Sequence, residues 1–128
     1  MKKASKIILL NSNNEVLLQL RSKGQSNEWM RSLFGGHIDE WETPDEALVR
    51  EIKEELNYDL TEFTMIKMSI VEEFWEVYRY TGLIDSDLSK LTLQEWDEMR
   101  FFNYQEIKTL KVSPNSKQTI IEYFEESR

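Results

Sequence analysis

Cysteine is absent from this 128-residue chain, histidine occurs once and acidic residues outnumber basic ones, and each shortage narrows the possible function. The lack of cysteine excludes a disulfide framework and gives no indication of secretion. With 24 acidic against 16 basic residues, the formal net charge is −8. A nucleic-acid-binding surface needs clustered lysine and arginine, so we expect no nucleic-acid polymer as a partner.

Long hydrophobic runs are missing as well. The first ten residues, MKKASKIILL, contain two adjacent lysines and end in only four consecutive apolar residues before a polar run at 11–14. This stretch is too short for a signal peptide or a membrane span, so we expect a cytoplasmic protein without membrane association. The length predicts one domain over residues 1–128, and the sequence leaves open whether the protein is a monomer or a homodimer.

The chain does contain an acidic run with an unusual spacing. Glu51, Glu54 and Glu55 share one face of a predicted helix, at positions i, i+3 and i+4. Like charges at this spacing destabilise a helix by about 0.2–0.5 kcal/mol per pair. The face is either a solvated acidic surface or a site for a hard divalent cation. Because cysteine is absent and histidine scarce, the oxygen ligands favour Mg²⁺ or Mn²⁺ over Zn²⁺.

The helix that carries these glutamates has recognisable ends. Thr43 is a suitable N-cap, proline follows it and Glu46 occupies N3, which is the pattern of a capping box. Asn57 suits the left-handed residue that ends many helices. Arg50 lies four residues from both Glu46 and Glu54, so it is predicted to bridge them. An apolar stripe predicts packing on a core, and its members are Ala47, Leu48, Ile52 and Leu56.

Two adjacent glycines precede the helix. Gly35 and Gly36 permit a backbone path that a Cβ would block, including a carbonyl turned toward a ligand. Mg²⁺ held by a few carboxylates normally keeps waters and binds substrate phosphates. The segment therefore predicts a phosphate-handling site.

The whole segment resembles the Nudix box, G-x5-E-x7-R-E-U-x-E-E-x-G-U, in which U is a bulky apolar residue. The matching positions are Gly36, Glu42, Arg50, Glu51, Ile52, Glu54 and Glu55, with Tyr58 at the last apolar place. Asn57 replaces the family's final glycine. Phe34 stands where many members have proline, and Trp41 where glycine often precedes the first glutamate. Neither of these two positions supplies a metal ligand, so they concern loop shape and substrate choice.

The resemblance implies a hydrolase that uses Mg²⁺ to split a pyrophosphate bond in a nucleoside diphosphate derivative. The implied metal ligands are Glu51, Glu54, Glu55 and the carbonyl of Gly35. Arg50 would have an orienting role, and Glu54 or Glu98 would take the proton of the attacking water. Glu42 is either a support for this set or a plain loop carboxylate. Short members similar to MutT act on nucleoside triphosphates, oxidised ones included, whereas others take nucleotide sugars or dinucleoside polyphosphates.

The predicted substrate contacts are Arg21, Phe34, His37 and Trp41. Aromatic rings stack on bases in nucleotide sites, with ordinary packing as the alternative. For Trp75 and Tyr78 we prefer packing. His37 is either a phosphate contact or a strand residue with a structural ring. Trp96 is a further candidate for base stacking, and Glu95, like Glu98, is a candidate for a further metal ligand or the general base. All three precede the last predicted strand, at residues 100–103.

The remaining pattern predicts strands on both sides of the acidic helix. Residues 6–10 and 15–20 form a predicted hairpin, and 63–70 with 73–84 a long antiparallel pair. A C-terminal helix is predicted to begin at Ser113 and Pro114. Strands flanked by two helices predict the α/β class, as an α/β/α sandwich around a mixed β-sheet. The order of the strands around the acidic helix is similar to that of the Nudix family.

Two other functions stay open. The Gly-Gly-His sequence is also similar to the isopentenyl diphosphate isomerase branch of the same superfamily. That isomerisation relies on a cysteine, and the absence of cysteine counts against it. The second alternative is a non-catalytic module that binds a nucleotide or a partner protein as a sensor. The intact acidic run argues against a sensor, because a site that no longer catalyses a reaction does not need to keep its carboxylates.

Overall fold

The computed structural model describes residues 1–20, 29–93 and 98–126, and in these ranges one seven-stranded sheet carries helices on both faces. The strands are β1 (Lys2–Leu10), β2 (Val16–Leu20), β3 (Arg31–Ser32), β4 (Phe34–His37), β5 (Phe63–Val71), β6 (Trp75–Leu83) and β7 (Glu98–Phe102). The helices are α1 (Pro44–Leu56), α2 (Tyr104–Thr109) and α3 (Pro114–Glu126), with a short 3₁₀ helix at Leu88–Lys90. No helix in the described ranges is long and apolar enough to cross a membrane.

The sheet is mixed, as predicted. Its strand order is β3-β2-β1-β6-β5, with β4 pairing to β1 and β7 pairing to β2. The predicted hairpin is the antiparallel pair β1–β2, and the predicted long pair is β5–β6. β1 starts at Lys2, four residues earlier than expected, because it runs parallel to β6 along its whole length. This parallel pair brings the first strand beside the second half of the chain.

Alternation along β1 divides the core into two layers. Ile7 and Leu9 belong to a cluster that includes Leu48, Ile52 and Leu56 of α1. Ile8 and Leu10 belong to a cluster that includes residues of α2 and α3. Successive side chains of a strand point to opposite faces of the sheet, so one strand supplies both layers. All four residues are at least 94% buried. The predicted α/β/α sandwich is confirmed.

Both ends of α1 form as predicted. The Thr43 hydroxyl accepts a hydrogen bond from the Glu46 N–H at 3.2 Å, and the Glu46 carboxylate accepts one from the Thr43 N–H at 2.8 Å. Asn57 adopts the left-handed conformation, with φ 53° and ψ 41°. These two caps satisfy backbone groups that would otherwise lack partners at the helix ends. They fix the length of the helix that carries the glutamates.

Two side chains of the sheet anchor the beginning of α1. The Ser5 hydroxyl donates to the Pro44 carbonyl at 2.9 Å, and the Tyr80 hydroxyl donates to Asp45 Oδ1 at 2.5 Å. Burial, and then the hydrogen bond to Asp45, raise the pKa of Tyr80 well above its ordinary value. Tyr80 therefore stays protonated and donates this hydrogen bond. Together, the two contacts fix the position of the beginning of α1 relative to β1 and β6.

Candidate active site

The glycine pair at β4 lets the carboxylates of α1 approach the sheet. A Cβ on Gly36 would lie 2.4 Å from the carboxylate carbon of Glu51, so only glycine leaves room for that side chain. The Gly35 N–H donates to Glu55 Oε1 at 3.0 Å, and Glu55 is only 4% exposed. Glu51 and Glu55 are therefore both held against Gly35 and Gly36.

The guanidinium of Arg50 connects the remaining acidic groups. Its Nε and one Nη donate to the two carboxylate oxygens of Glu42, at 2.6 and 2.8 Å. The other Nη contacts Glu51 at 3.0 Å and the Glu54 oxygens at 3.3 and 3.4 Å. A further bond reaches the His37 carbonyl at 3.0 Å. One side chain thus ties the loop before α1, the end of β4 and two of the glutamates together.

Charge reinforces this arrangement. The hydrogen bond from Arg50, followed by one from the Asp39 N–H, lowers the pKa of Glu42 from 4.5 to about 2. The pKa of Arg50 is raised further above its already high value. The largest cause is the hydrogen bond to Glu42, and the hydrogen bond to Glu51 also raises it. The paired, two-pronged geometry is the strongest form of this contact. Glu42 is therefore ionised at neutral pH and acts as a fixed counter-ion for Arg50.

One predicted contact of Arg50 is wrong. Arg50 contacts Glu54 as expected, but the Glu46 carboxylate turns to the backbone of Thr43, and Glu42 takes its place. The capping box competes for Glu46, since a carboxylate at N3 is best used on the free N–H of the cap. Glu42 is therefore paired with Arg50 and is not a free loop carboxylate, and its support of the catalytic set stays a prediction.

Glu54 differs from its two acidic neighbours on α1. Its side chain is 58% exposed, and its contacts with Arg50 are longer than those that Arg50 makes to Glu42. In contrast, the Glu51 side chain is 18% exposed. Glu54 is therefore the carboxylate on the open side of the cluster, where it can move toward a ligand.

The chemistry of this donor set fits a hard divalent cation, because all of its groups are oxygens. Among the described residues, no group of three acidic, histidine or cysteine side chains is close enough to hold a metal ion. Two of the predicted ligands, Glu51 and Glu55, already lie beside the glycines, whereas Glu54 would have to turn away from Arg50 to join them. Gly35 takes part through its N–H, and the role of its carbonyl stays a prediction.

Glu98, the other predicted base, lies at the start of β7. Its carboxylate forms an ion pair with Arg31 Nη2 at 2.6 Å, and its side chain is 44% exposed. This short contact holds the carboxylate beside Arg31 of β3. The role of Glu98 as a general base stays a prediction.

The predicted substrate contacts have different surroundings. Phe34 has no exposed surface and packs in the core cluster with Leu48 of α1, so its proposed contact with substrate is wrong. His37 is exposed, and its ring meets Trp75 edge to face at 4.9 Å. Trp41 is 81% exposed in the loop before α1 and is accessible to a ligand. Tyr78 packs against the core, as preferred. The other candidates lie outside the described residues: Arg21, Glu95 and Trp96.

The sequence did not predict a cavity of about 400 Å³ on the α3 side of the sheet. Lys6, Arg79 and Asn115 line it, together with Gly36 and Trp75. These residues come from β1, β4, β6 and α3, so no local spacing links them. In sequence, Arg79 looks like any charged residue in a strand, and only the parallel pairing of β1 with β6 places it beside Lys6.

A capped acidic helix held against a glycine pair, in a sandwich of this strand order, defines the class of Nudix-fold proteins. The NUDIX domain family model matches residues 2–124. The chain belongs to this family, and the resemblance of residues 36–58 to the Nudix box is confirmed at the level of the whole domain. Family membership supports the predicted enzyme class, a pyrophosphohydrolase.

Individual proteins agree with the family assignment. A Caenorhabditis elegans protein named provisionally as a nudix hydrolase is 28% identical over 113 residues, which cover 85% of this chain but only 30% of that protein. The MutT structure from Methanosarcina mazei Go1 superposes with a TM-score of 0.80 at 19% identity, over 99% of this chain and 95% of that one. The NUDIX domain of Shewanella oneidensis NrtR, determined with ADP-ribose, superposes with a TM-score of 0.78 at 16% identity, over 98% of this chain and 88% of that one. At these identities, the two structures show the fold alone.

Proposed function

We propose that this protein hydrolyses a pyrophosphate bond in a nucleoside diphosphate derivative, with a divalent cation as cofactor. One observation carries the proposal: two glutamates of α1 lie against a glycine pair, and a third stands on the open side of the same helix. Like charges so placed are stabilised by a bound cation, and diphosphates bind through such cations. Family membership supports this class of reaction.

The cofactor proposed is Mg²⁺, with Mn²⁺ as a substitute. Glu51, Glu55 and a reoriented Glu54 would hold it, with the Gly35 carbonyl as a further ligand. Such an ion, when bound, neutralises the diphosphate and lowers the pKa of a coordinated water. Arg50 would keep Glu51 in place through its contact at 3.0 Å, whereas Glu54 would leave Arg50 to join the ion.

The reaction is nucleophilic substitution by water at phosphorus. The water oxygen forms a new bond to phosphorus, the bridging P–O bond breaks, and the leaving phosphate takes the bonding electron pair. Glu54 accepts the proton of the water, since it is the most exposed of the three carboxylates and no strong ion pair restrains it. Glu98 is the second candidate base, and its ion pair with Arg31 favours Glu54.

The substrate is a small-molecule nucleotide, and three classes compete. Resemblance to short MutT-like members favours nucleoside triphosphates, oxidised ones included. The NUDIX domain of NrtR was determined with ADP-ribose, which supports nucleotide sugars as a second class for this fold. Dinucleoside polyphosphates are the third. The cavity beside Gly36, rather than the acidic helix, is the place where these classes would be distinguished.

A substrate panel tests the proposal. The protein is incubated with the three classes in H₂¹⁸O and Mg²⁺, then in Mn²⁺, and products are followed by ³¹P NMR. We expect orthophosphate, pyrophosphate or a nucleoside monophosphate, with ¹⁸O in the phosphate that water attacked. Absence of turnover across the panel, together with a nucleotide-dependent thermal shift, would instead favour the non-catalytic sensor.

A further inference from the structure

Strand β5 forms an edge of the sheet and carries exposed apolar side chains. Among the described residues, β5 pairs with β6 alone, so its outer edge presents backbone N–H and C=O groups that no described strand pairs with. Four side chains form what we call the β5 patch, each between 40% and 50% exposed: Met65, Ile66, Met68 and Ile70. They present roughly 300–400 Å² of mostly apolar surface, and contiguous patches of this size are often interaction surfaces.

The β5 patch lies on the face of the sheet that holds α1. Met68 is paired with Tyr78 of β6, whose ring packs against the core cluster around α1. Ile70 lies two residues beyond Met68 and therefore on the same face. The helix, however, packs mainly on β1 and β4, so this part of β5 stays in solvent. The described fold thus leaves both the patch and the strand edge uncovered.

The usual protection of an edge strand is weak in β5. Exposed edges are normally blocked by charged side chains, by proline or by bulges. β5 contains no proline, and its one charged residue, Lys67, forms an ion pair with Glu122 of α3 at 3.3 Å. The register with β6 shifts between Met65 and Lys67, so the longest regular stretch is 67–71. This stretch can accept another strand.

The order of side chains along this stretch is complementary to itself in the antiparallel direction. When Ser69 faces Ser69 of a second copy, Met68 lies opposite Ile70 of that copy on both sides of the two-fold axis. In the same register, Lys67 comes close to Glu72 of the second copy, so opposite charges meet at both ends. An ammonium group has three donors, and its ion pair within the subunit therefore does not prevent this contact.

We propose that β5 is the docking site for a second copy of this chain, which adds its own β5 in antiparallel orientation to form one continuous sheet. The patch and the strand edge fit an interface at or below the standard size of about 800 Å² per partner, so the dimer should depend on concentration. Glu72 also lines the cavity beside Gly36. Dimerisation therefore brings Lys67 of the partner subunit to the rim of that cavity.

Sedimentation velocity of the full chain at increasing concentration tests the proposal. Between about 1 and about 100 μM, a range that spans micromolar dissociation constants, the mass should rise from 15.4 kDa toward twice that value. Ile70→Lys and Met68→Lys each bury a charge in the patch and should weaken the dimer at least about ten-fold. Leu83→Lys is the matched control, because Leu83 is an exposed apolar residue of β6 outside the patch, and this variant should dimerise normally.

A charge exchange tests the antiparallel register. Lys67→Glu and Glu72→Lys should each weaken the dimer about ten-fold, because like charges then meet and each change acts twice in a two-fold dimer. The double variant restores opposite charges. Its dissociation constant should return to within about three-fold of that of the unmodified protein.

Three results would overturn the proposal. A monomeric mass at every concentration rules out a second copy and leaves the edge to a strand of a different protein. A dimer that persists in Ile70→Lys lies at another surface, and Met68→Lys decides the point if circular dichroism shows that Ile70→Lys does not fold. A double charge variant as weak as either single variant excludes the antiparallel register. None of these changes lies in α1, so failure here is separable from failure of the proposed hydrolysis.

Discussion

At the residue scale, the adjacent glycines Gly35 and Gly36 are required for different structural reasons. A Cβ on Gly36 would meet the end of a flexible side chain, Glu51, whereas a Cβ on Gly35 would lie 2.1 Å from the Ser5 carbonyl oxygen. Gly35 also has φ +140°, which L residues rarely adopt. The first glycine therefore protects the fold, and the second protects the position of a carboxylate.

Alanine substitutions should separate these tasks. We expect Gly36→Ala to displace Glu51 and lower kcat strongly, with a melting temperature close to that of the unmodified protein. Gly35→Ala should lose about 1–3 kcal/mol of unfolding free energy, because the strained backbone and the clash cannot relax. Urea denaturation measures the free energy of unfolding of each variant, and steady-state kinetics measures its kcat. Equal loss of stability in the two variants would contradict the distinction.

Glu42 makes stability depend on pH. Its pKa falls from 4.5 to about 2 in the folded protein, mainly through Arg50. A lowered carboxyl pKa contributes stability that is present above pH 4.5 and is lost as the pH falls through about 2. Glu42→Gln should therefore flatten the stability profile between these values and reduce kcat by freeing Arg50.

Chemical denaturation from pH 2 to 7 measures this profile. Glu62→Gln, at an exposed loop position, is the matched control and should keep the slope of the unmodified protein. The same steep slope in Glu42→Gln would show that the Arg50 contact is not the source of the pH dependence.

At the scale of elements, α1 depends on its C-cap. Asn57 is left-handed at φ 53°, and its N–H donates to the Lys53 carbonyl at 2.9 Å. Asn57→Ala should lose about 1 kcal/mol, because a Cβ without a local hydrogen-bonding group disfavours this conformation. Asn57→Gly, which restores the family's residue, should be neutral or stabilising. Thermal unfolding of both variants checks this, and a stabilising alanine would contradict it.

Local signals in the sequence predicted α1 well, because its caps and apolar stripe lie within one segment. They did not predict that Glu55, on the acidic face, is buried, since its environment comes from β4. α2 was not predicted either, although Asn103 and Glu106 form a capping box that the sequence displays. Its six residues are too few for a hydrophobic period to stand out.

Contacts between distant segments set the limit of the prediction. The parallel pairing of β1 with β6 has no local signature, and it is this pairing that places Lys6 beside Arg79. Glu42 could be matched to a motif, but its two-pronged contact with Arg50 depends on the path of the loop. Phe34 looked like a loop aromatic because the four-residue strand β4 was not recognised.

For the whole molecule, acidity predicts a response to divalent cations. The net charge is −8, and three glutamates share one face of α1. A ligand that binds only the folded state stabilises it by about 2.7 kcal/mol at 100 times its Kd. Saturating Mg²⁺ should therefore raise the melting temperature beyond NaCl at equal ionic strength. Glu55→Gln should abolish most of this gain, whereas the same shift in that variant would place the cation elsewhere.

The most direct measurement is the turnover of Glu54→Gln on a substrate found in the panel, at saturating Mg²⁺. Loss of a proton acceptor typically costs about 100- to 10,000-fold in rate. We predict a loss of that size with an unchanged melting temperature, while Glu62→Gln keeps normal turnover. A Glu54→Gln protein that hydrolyses the substrate at the normal rate would contradict the central claim, that the acidic face of α1 performs the hydrolysis.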